Sequence, residues 1–133
     1  MNKICQIGII VEDMDEAVKR YSALYNATPR AVILTDEYEK ARTVYRGKPT
    51  RARARLAFFD GPAGVTVELI APDREPSTWR EFLDKHGEGL HHLAYDVVSI
   101  GETLLSLRSN GMEEVQKGEY EGGRYLYAEN KNG

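Results

Sequence analysis

Two stretches of the chain repeat one pattern: a strand, a polar helix start and an amphipathic helix. The first begins QIGIIVEDMDEAVKRYSALY at Gln6, and the second begins HLAYDVVSIGETLLSLRSNG at His92. In each stretch Asp or Ser comes before the helix and Glu follows three positions later, which is the spacing of a capping box. The repeat predicts two similar modules that share a core, and it therefore limits the chain to a fold with pseudo-symmetry.

Each module is predicted to hold further strands after its helix, so the expected fold class is α+β. In the first module AVILT, a polar excursion, RARARLAFF and VTVELIA follow the helix, and the turn DGPAG joins the last two strands. In the second module MEEVQKG and GRYLYAE follow the helix. The repeated unit is therefore βαβββ, although the second copy ends after its third strand.

A linker of different composition separates the modules. APDREPSTWREFLDKHGEG has proline near one end, glycine at the other and a short helical pattern between them. We predict one domain over residues 1–133, with module 1 at about 1–71, a linker helix at about 72–88 and module 2 at about 89–133. If Gly64 corresponds to Gly133, the partner of Glu68 falls about four residues past the end of the sequence. We expect that the last strand of module 2 is missing, and a shorter natural second module is the alternative.

Strand alternation predicts which polar side chains share a face of the sheet. In the first strand the apolar positions alternate with the position of Gln6. In VTVEL they alternate with Glu68, and in the first strand of the second module they alternate with His92. These three side chains are predicted to face one site, whereas His91 should point to the helices. Imidazole, carbonyl and carboxylate ligands suit Zn, Ni, Co, Mn or Fe in an open octahedral site. A structural histidine is the alternative interpretation.

The strand RARARLAFF places Arg51, Arg53 and Arg55 on one face. Three guanidinium groups can clamp the carboxylate or phosphate of a substrate, and Arg46 could extend that patch. The alternative is a solvated strand whose arginines pair with acidic neighbours in the excursion, at positions 37 and 39.

Composition excludes several classes of partner. The 133 residues are 41% hydrophobic and 29% charged, with a net charge of −3, which is unlike a protein that neutralises nucleic-acid phosphates. The apolar run IGIIV is far too short to span a membrane. A single cysteine rules out an internal disulfide and fits a reducing cytoplasm. We therefore expect a cytoplasmic protein that acts on a small molecule and binds neither nucleic acid nor membranes.

Three motifs in this order resemble the vicinal oxygen chelate superfamily, which includes glyoxalase I, methylmalonyl-CoA epimerase, extradiol dioxygenases and bleomycin-resistance proteins. They are QIGIIVEDMDEAVKRY, VELIAP followed by WREFL, and GEGLHHLAYDV. The motifs are most similar to those of methylmalonyl-CoA epimerase and glyoxalase-like proteins. The resemblance implies paired βαβββ modules in a cupped mixed sheet with helices on its outer face, and a homodimer. It also implies that Gln6, Glu68 and His92 bind a divalent metal, with a fourth ligand, a glutamate, on the last strand.

The resemblance further implies a metal-dependent lyase or isomerase. Such an enzyme moves a proton alpha to a carbonyl of a small thioester, thiohemiacetal or keto acid through a metal-stabilised enolate. The catalytic base is not identified by the sequence; Glu37 and Glu39 are candidates besides the glutamate of the last strand. One histidine in the ligand set disfavours the dioxygenases, which need two. The alternative function is non-catalytic binding of a small ligand, as in bleomycin-resistance proteins.

Overall fold

Two β-sheets and four α-helices make up residues 3–131, the part of the chain that the computed structural model describes. The elements are β1 (Ile4–Ile10), α1 (Met14–Tyr25), β2 (Ala31–Leu34), α2 (Tyr38–Ala41), β3 (Val44–Tyr45), β4 (Lys48–Pro49), β5 (Ala54–Asp60), β6 (Thr66–Pro72), α3 (Thr78–His86), β7 (Gly89–Tyr95), α4 (Ile100–Ser109), β8 (Met112–Tyr120) and β9 (Gly123–Asn130). Within residues 3–131 none of the helices combines the length and the apolar character that crossing a membrane requires.

The strands confirm the predicted α+β class and its βαβββ units. The first sheet has the order β2-β5-β6-β1-β7, in which β6 lies parallel to β1 and β7 runs antiparallel to it. The second sheet has the order β4-β3-β8-β9. The polar excursion after β2 contains α2 and the short hairpin β3–β4, which pairs with β8 of the second module. The first strand of module 2 therefore extends the sheet of module 1, and the excursion of module 1 extends the sheet of module 2.

The two repeated helices begin where the capping pattern predicts. Asp13 Oδ1 accepts a hydrogen bond from the backbone N–H of Glu16 at 3.2 Å, and Ser99 Oγ accepts one from the N–H of Glu102 at 3.2 Å. Each cap satisfies a donor that the helix leaves free and contributes about 1 kcal/mol. The equivalent caps show that the sequence repeat is also a structural repeat.

Apolar side chains pack on both faces of the first sheet. On one face α1 covers a cluster of buried residues: Val11, Met14, Ala17, Ala57, Phe59 and Leu69. On the other face a second cluster contains Ile10, Ala54, Ile70 and Trp79, with Tyr125 and Tyr127 of β9 packed against it. Successive residues of β1, β5 and β6 therefore alternate between the face that α1 covers and an inner face that looks toward α3 and β9.

The second module is packed less completely than the first. Helix α4 packs against β8 and β9, so the apolar side chains of β7 remain partly open: Leu90, Leu93 and Tyr95 are 59%, 46% and 38% exposed. Strands β7 and β9 are each the last strand of their sheet. The predicted correspondence of Gly64 with Gly133, and the strand expected after it, lie outside the described residues.

Candidate metal centre

Three neighbouring strands bring the predicted ligands together on the inner face of the first sheet. Gly8 of β1 lies opposite Glu68 of β6 on one side and opposite His92 of β7 on the other. Nε2 of His92 is 3.2 Å from Oε1 of Gln6 and 3.7 Å from Oε1 of Glu68. Strand alternation predicts these three side chains on one face, and in the structure the imidazole of His92 lies next to the other two. Their role as metal ligands is a separate prediction.

Gly8 makes room for the imidazole. A Cβ atom at this position would collide with the ring of His92, because the ring lies directly over the glycine backbone. The approach needs a residue without a side chain in the middle of β1, although glycine weakens a strand interior. The imidazole of His92 can therefore take this position only because residue 8 is glycine.

Burial controls the charge of the site. Glu68 is 7% exposed, and desolvation raises the pKa of its carboxyl group to about 7. Desolvation, with a smaller contribution from the neighbouring His91, lowers the pKa of His92 to about 3. Both shifts favour the neutral form. Glu68 and His92 therefore do not form an ion pair, although their side chains are 3.7 Å apart: His92 is already neutral at the pH at which Glu68 ionises.

His91 lies beside His92 because β7 contains a β-bulge. Gly8 is opposite His92 and Ile9 is opposite Leu90, so His91 is an extra residue between two paired positions. Its Nδ1 is 2.9 Å from Nδ1 of His92, and both imidazole rings contact Tyr127. The prediction that only one of the two histidines faces the site is therefore wrong. Strict alternation does not apply across a bulge.

The polar atoms around Nε2 of His92 are of the types that bind a divalent metal. Ligand atoms about 2.1 Å from a metal lie roughly 3.0–3.4 Å from one another, which matches the 3.2 Å between His92 Nε2 and Gln6 Oε1, whereas the 3.7 Å to Oε1 of Glu68 is longer. Within residues 3–131 no group of three or more His, Cys, Asp or Glu side chains is arranged to hold a metal. A metal bound at this point would therefore need Gln6 as its third protein ligand. A cation would also favour the ionised form of Glu68, which burial disfavours.

Two tyrosines of β9, neither of which was predicted from the sequence, close the inner side of the site. Tyr127 Oη accepts a hydrogen bond from Trp79 Nε1 at 3.1 Å, and Tyr125 Oη accepts one from Gln116 Nε2 at 3.1 Å. Burial raises the pKa of Tyr125 to about 12 and that of Tyr127 well above its usual value, so both hydroxyl groups remain protonated. The alternating tyrosines in GRYLYAE were the available signal, since positions 125 and 127 share a face.

A groove of about 450 Å³ leads to His92 between β7 and β9. Its walls include both histidines, part of α3 and the end of β9, and its charged residues include the basic Arg46, Lys85 and Lys131 and the acidic Glu81 and Glu129. Arg46 donates hydrogen bonds to Glu81 at 2.8 Å and to Glu129 at 3.0 Å, and so connects α3 to β9. The groove therefore reaches the site between charged groups of both signs, and Arg46 and Lys85 are paired with the acidic ones.

The structure does not bring the three arginines of RARARLAFF together with this site. Arg55 lies 3.9 Å from Asp15 of α1, on the face of the sheet opposite Glu68, and Arg53 and Arg55 line a different cavity of about 830 Å³ beside α1. The acidic neighbours in the excursion pair with two of the arginines, as the alternative interpretation predicted. Arg51 is 3.6 Å from Glu39, and Arg53 is 3.7 Å from Glu37.

These placements weigh against a shared substrate site, and the predicted role of Arg51, Arg53 and Arg55 in substrate binding stays a prediction. Glu37 and Glu39, the candidate bases, form exposed ion pairs that contribute little to stability.

Comparison with known proteins gives a family and a set of similar folds. Residues 5–127 match the sequence profile of the family described as the glyoxalase/bleomycin resistance protein/dioxygenase superfamily. The chain is 27% identical over 117 residues to the protein YqjC of Bacillus subtilis (strain 168), a match that covers 88% of this chain and 73% of YqjC.

Two solved structures have a similar fold at low sequence identity. The protein BH1468 from Bacillus halodurans C-125 has a TM-score of 0.62 and 22% identity, and the match covers 97% of this chain and 94% of that one. A methylmalonyl-CoA epimerase of Streptomyces coelicolor in complex with 2-nitronate-propionyl-CoA has a TM-score of 0.60 and 18% identity, and the match covers 94% of this chain and 84% of that one.

Proposed function

Because the chain belongs to the glyoxalase/bleomycin resistance protein/dioxygenase superfamily, we propose that it is a metal-dependent lyase or isomerase of the glyoxalase or epimerase kind. Its substrate is a small thioester, thiohemiacetal or keto acid. The observation that carries the proposal is the convergence of one imidazole nitrogen and two oxygens at a buried point, with the imidazole of His92 neutral.

Gln6, Glu68 and His92 would hold the metal, and their ligand types suit Zn, Ni, Co, Mn or Fe. When bound, a divalent metal polarises a substrate carbonyl and makes the adjacent C–H acidic. The protein residues would orient the substrate and exclude water: the buried rings of Trp79 and Tyr127 form an apolar wall beside His92.

We also propose that the groove between β7 and β9 takes one further strand, which would complete the single domain of two βαβββ modules. The support is the first module, in which β6 lies between β5 and β1. Strands β9 and β7 correspond to β5 and β1 in the repeat, and each is the last strand of its sheet. A carboxylate on such a strand would be the fourth ligand and would provide a group to move the proton.

Exchange of the proton alpha to the carbonyl tests the proposed reaction. The metal-loaded protein is incubated in deuterated water with methylmalonyl-CoA, and separately with the glutathione thiohemiacetal of methylglyoxal, while deuterium at carbon is followed by mass spectrometry. The native protein should catalyse exchange or turnover of at least one of these two probes, and His92→Ala should not. His86→Ala is the matched control, since His86 lines the same groove and is exposed.

A non-catalytic binding protein is the second candidate function, and one observation favours it. The aromatic rings of Trp79, Tyr125 and Tyr127 are grouped around the polar atoms of the site, as in a pocket that captures an aromatic or anionic ligand. This function predicts saturable binding of a ligand without metal and no exchange of deuterium into either probe, whatever metal is added. The same exchange experiment therefore separates the two candidates.

A further inference from the structure

One polar contact at the candidate metal centre has no role in the proposed function: the hydrogen bond between neighbouring imidazole rings. Nδ1 of His91 is 2.9 Å from Nδ1 of His92. On its other side, His91 Nε2 is 3.2 Å from Oγ1 of Thr78, while His92 Nε2 is 3.2 Å from Oε1 of Gln6. These four side chains form an unbroken series of hydrogen bonds, which we call the imidazole relay.

The relay can run in only two directions. A neutral imidazole has one N–H donor and one acceptor nitrogen, and a single hydrogen lies between the two Nδ1 atoms. The tautomer of either ring therefore fixes that of the other. In one direction, Nε2–H of His92 donates to Gln6, Nδ1 of His92 accepts from His91, and Nε2 of His91 accepts from the hydroxyl group of Thr78.

A metal at His92 requires the opposite direction. Its Nε2 must give a lone pair to the metal, so the hydrogen of His92 must be on Nδ1 and must be donated to Nδ1 of His91. Nε2–H of His91 then donates to Thr78. The protons balance: His92 loses one from Nε2 to water, His91 passes its Nδ1 proton to His92, and His91 takes one from water at Nε2. Neither ring changes its net charge.

We infer that His91 is a positioning residue, which holds His92 in the tautomer that binds metal, and that the imidazole relay reverses its direction when the metal binds. This inference rests on the proposed metal site. Histidines that bind metals generally donate their second ring N–H to an acceptor, which fixes the orientation of the ring. Here the acceptor is a second imidazole, which can also act as the donor.

Packing holds His91 in this position. The ring of Phe82 on α3 meets the imidazole edge-on at a centroid distance of 5.5 Å, and the ring of Tyr127 does so at 5.3 Å. The bulge in β7 gives His91 its place beside His92. Because rings and backbone fix His91, its Nδ1 stays within hydrogen-bond distance of His92 in either direction of the relay.

The tautomers are measured directly by nitrogen-15 NMR of the histidine rings, before and after saturation with Zn²⁺. We expect Nε2–H on His92 and Nδ1–H on His91 without metal, and Nδ1–H on His92 with Nε2–H on His91 after Zn²⁺ is added. The ring of His86 is the internal control and should not change, because it is exposed at the end of α3. If the tautomer of His91 is the same before and after saturation, the inference is overturned.

Affinity for Zn²⁺ tests the positioning role independently. His91→Leu removes the acceptor and should weaken Zn²⁺ binding 10–100-fold, which is the usual effect of losing such a partner. His91→Asn should restore most of the affinity, since the amide oxygen of asparagine can accept the same N–H. Equal affinity of His91→Leu and the native protein would contradict the positioning role. If His91→Leu does not fold, the inference is decided by the tautomers of His91 and His92 in the native protein before and after Zn²⁺ saturation, because that measurement needs no variant.

Failure of the metal site itself gives a different result. A native protein that binds no Zn²⁺ overturns the proposed function together with the positioning role, whatever the tautomers are. A native protein that binds Zn²⁺ through His92 while the ring of His91 keeps its tautomer overturns the relay alone. The two proposals therefore fail in distinguishable ways.

Discussion

Glu68 is buried, although glutamate is a residue type that proteins seldom bury. Its carboxyl group is buried beside an imidazole that is also buried, and desolvation favours the neutral form of both groups. In the metal-free protein this arrangement costs stability at neutral pH, because the unfolded chain can ionise Glu68 and the folded chain resists it. A bound cation would offset that cost, because it would favour the ionised carboxylate.

The stability of the metal-free protein should therefore depend on pH through Glu68. The folded pKa of about 7 is above the ordinary value of 4.5, so the contribution is fully present below pH 4.5 and is lost as pH rises through 7. Relative to Glu68→Gln, the native protein should lose about 3 kcal/mol of unfolding free energy between those limits. Urea denaturation at a series of pH values measures the difference.

Glu119→Gln is the control for this series, since Glu119 is exposed on β8. Its difference from the native protein should stay constant, to within about 0.5 kcal/mol, over the same pH range. A constant difference between the native protein and Glu68→Gln would show that the Glu68 carboxyl group is not desolvated as described.

At the level of the strands, alternation predicted which side chains share a face where pairing is regular. β1 and β6 keep their period of two, so Gln6 and Glu68 were assigned to the correct face. The bulge at His91 could not be predicted, because it depends on the register between β1 and β7 and not on the residue pattern of β7 alone. The hairpin β3–β4 was missed for the same reason: its partner β8 is distant in sequence.

Close approach between β1 and β7 makes Gly8 sensitive to substitution. In Gly8→Ala the new Cβ atom would displace the ring of His92, which should cost roughly 1–3 kcal/mol of stability and weaken metal binding. Gly101→Ala is the matched control in α4, where the nearest atom to a new Cβ is Ser99 Oγ at 4.0 Å. This control should gain roughly 0.5–1 kcal/mol, since alanine suits a helix better than glycine.

Thermal unfolding and Zn²⁺ titration of both variants check this prediction. If Gly8→Ala binds Zn²⁺ as tightly as the native protein, His92 does not need the space over Gly8, and the geometry described for the site is wrong.

Over the whole molecule, the repeat predicted the two modules, and the structure shows how they interlock. The exchange of strands between the two sheets could not be predicted, because the residue pattern within one module does not show which strands of the other module pair with the edges of its sheet. Which face of the sheet Arg53 and Arg55 occupy could not be predicted for a related reason. Alternation groups residues into two faces, but only the packing of α1 on β5 tells which face is which.

The resemblance to the superfamily also predicts a homodimer, which stays a prediction. Apolar side chains on β7 and on the edge strand β2 are exposed, among them Leu93 at 46% and Ile33 at 47%, and association would cover surface of this kind. Sedimentation should therefore give a mass twice the 15.0 kDa of the chain. A mass of one chain at every concentration tested would contradict the prediction.

Metal content tests the central claim most directly. The protein is purified without chelator, saturated with Zn²⁺, Ni²⁺, Co²⁺ or Mn²⁺, freed of excess metal and analysed by mass spectrometry beside His92→Ala and the control His86→Ala. We predict about one metal per chain in the native protein and in the control, and none in His92→Ala, because the imidazole is the only nitrogen ligand in the proposed set of three. No metal in the native protein with any of these ions, or equal metal in native protein and His92→Ala, would contradict a metal centre built on Gln6, Glu68 and His92.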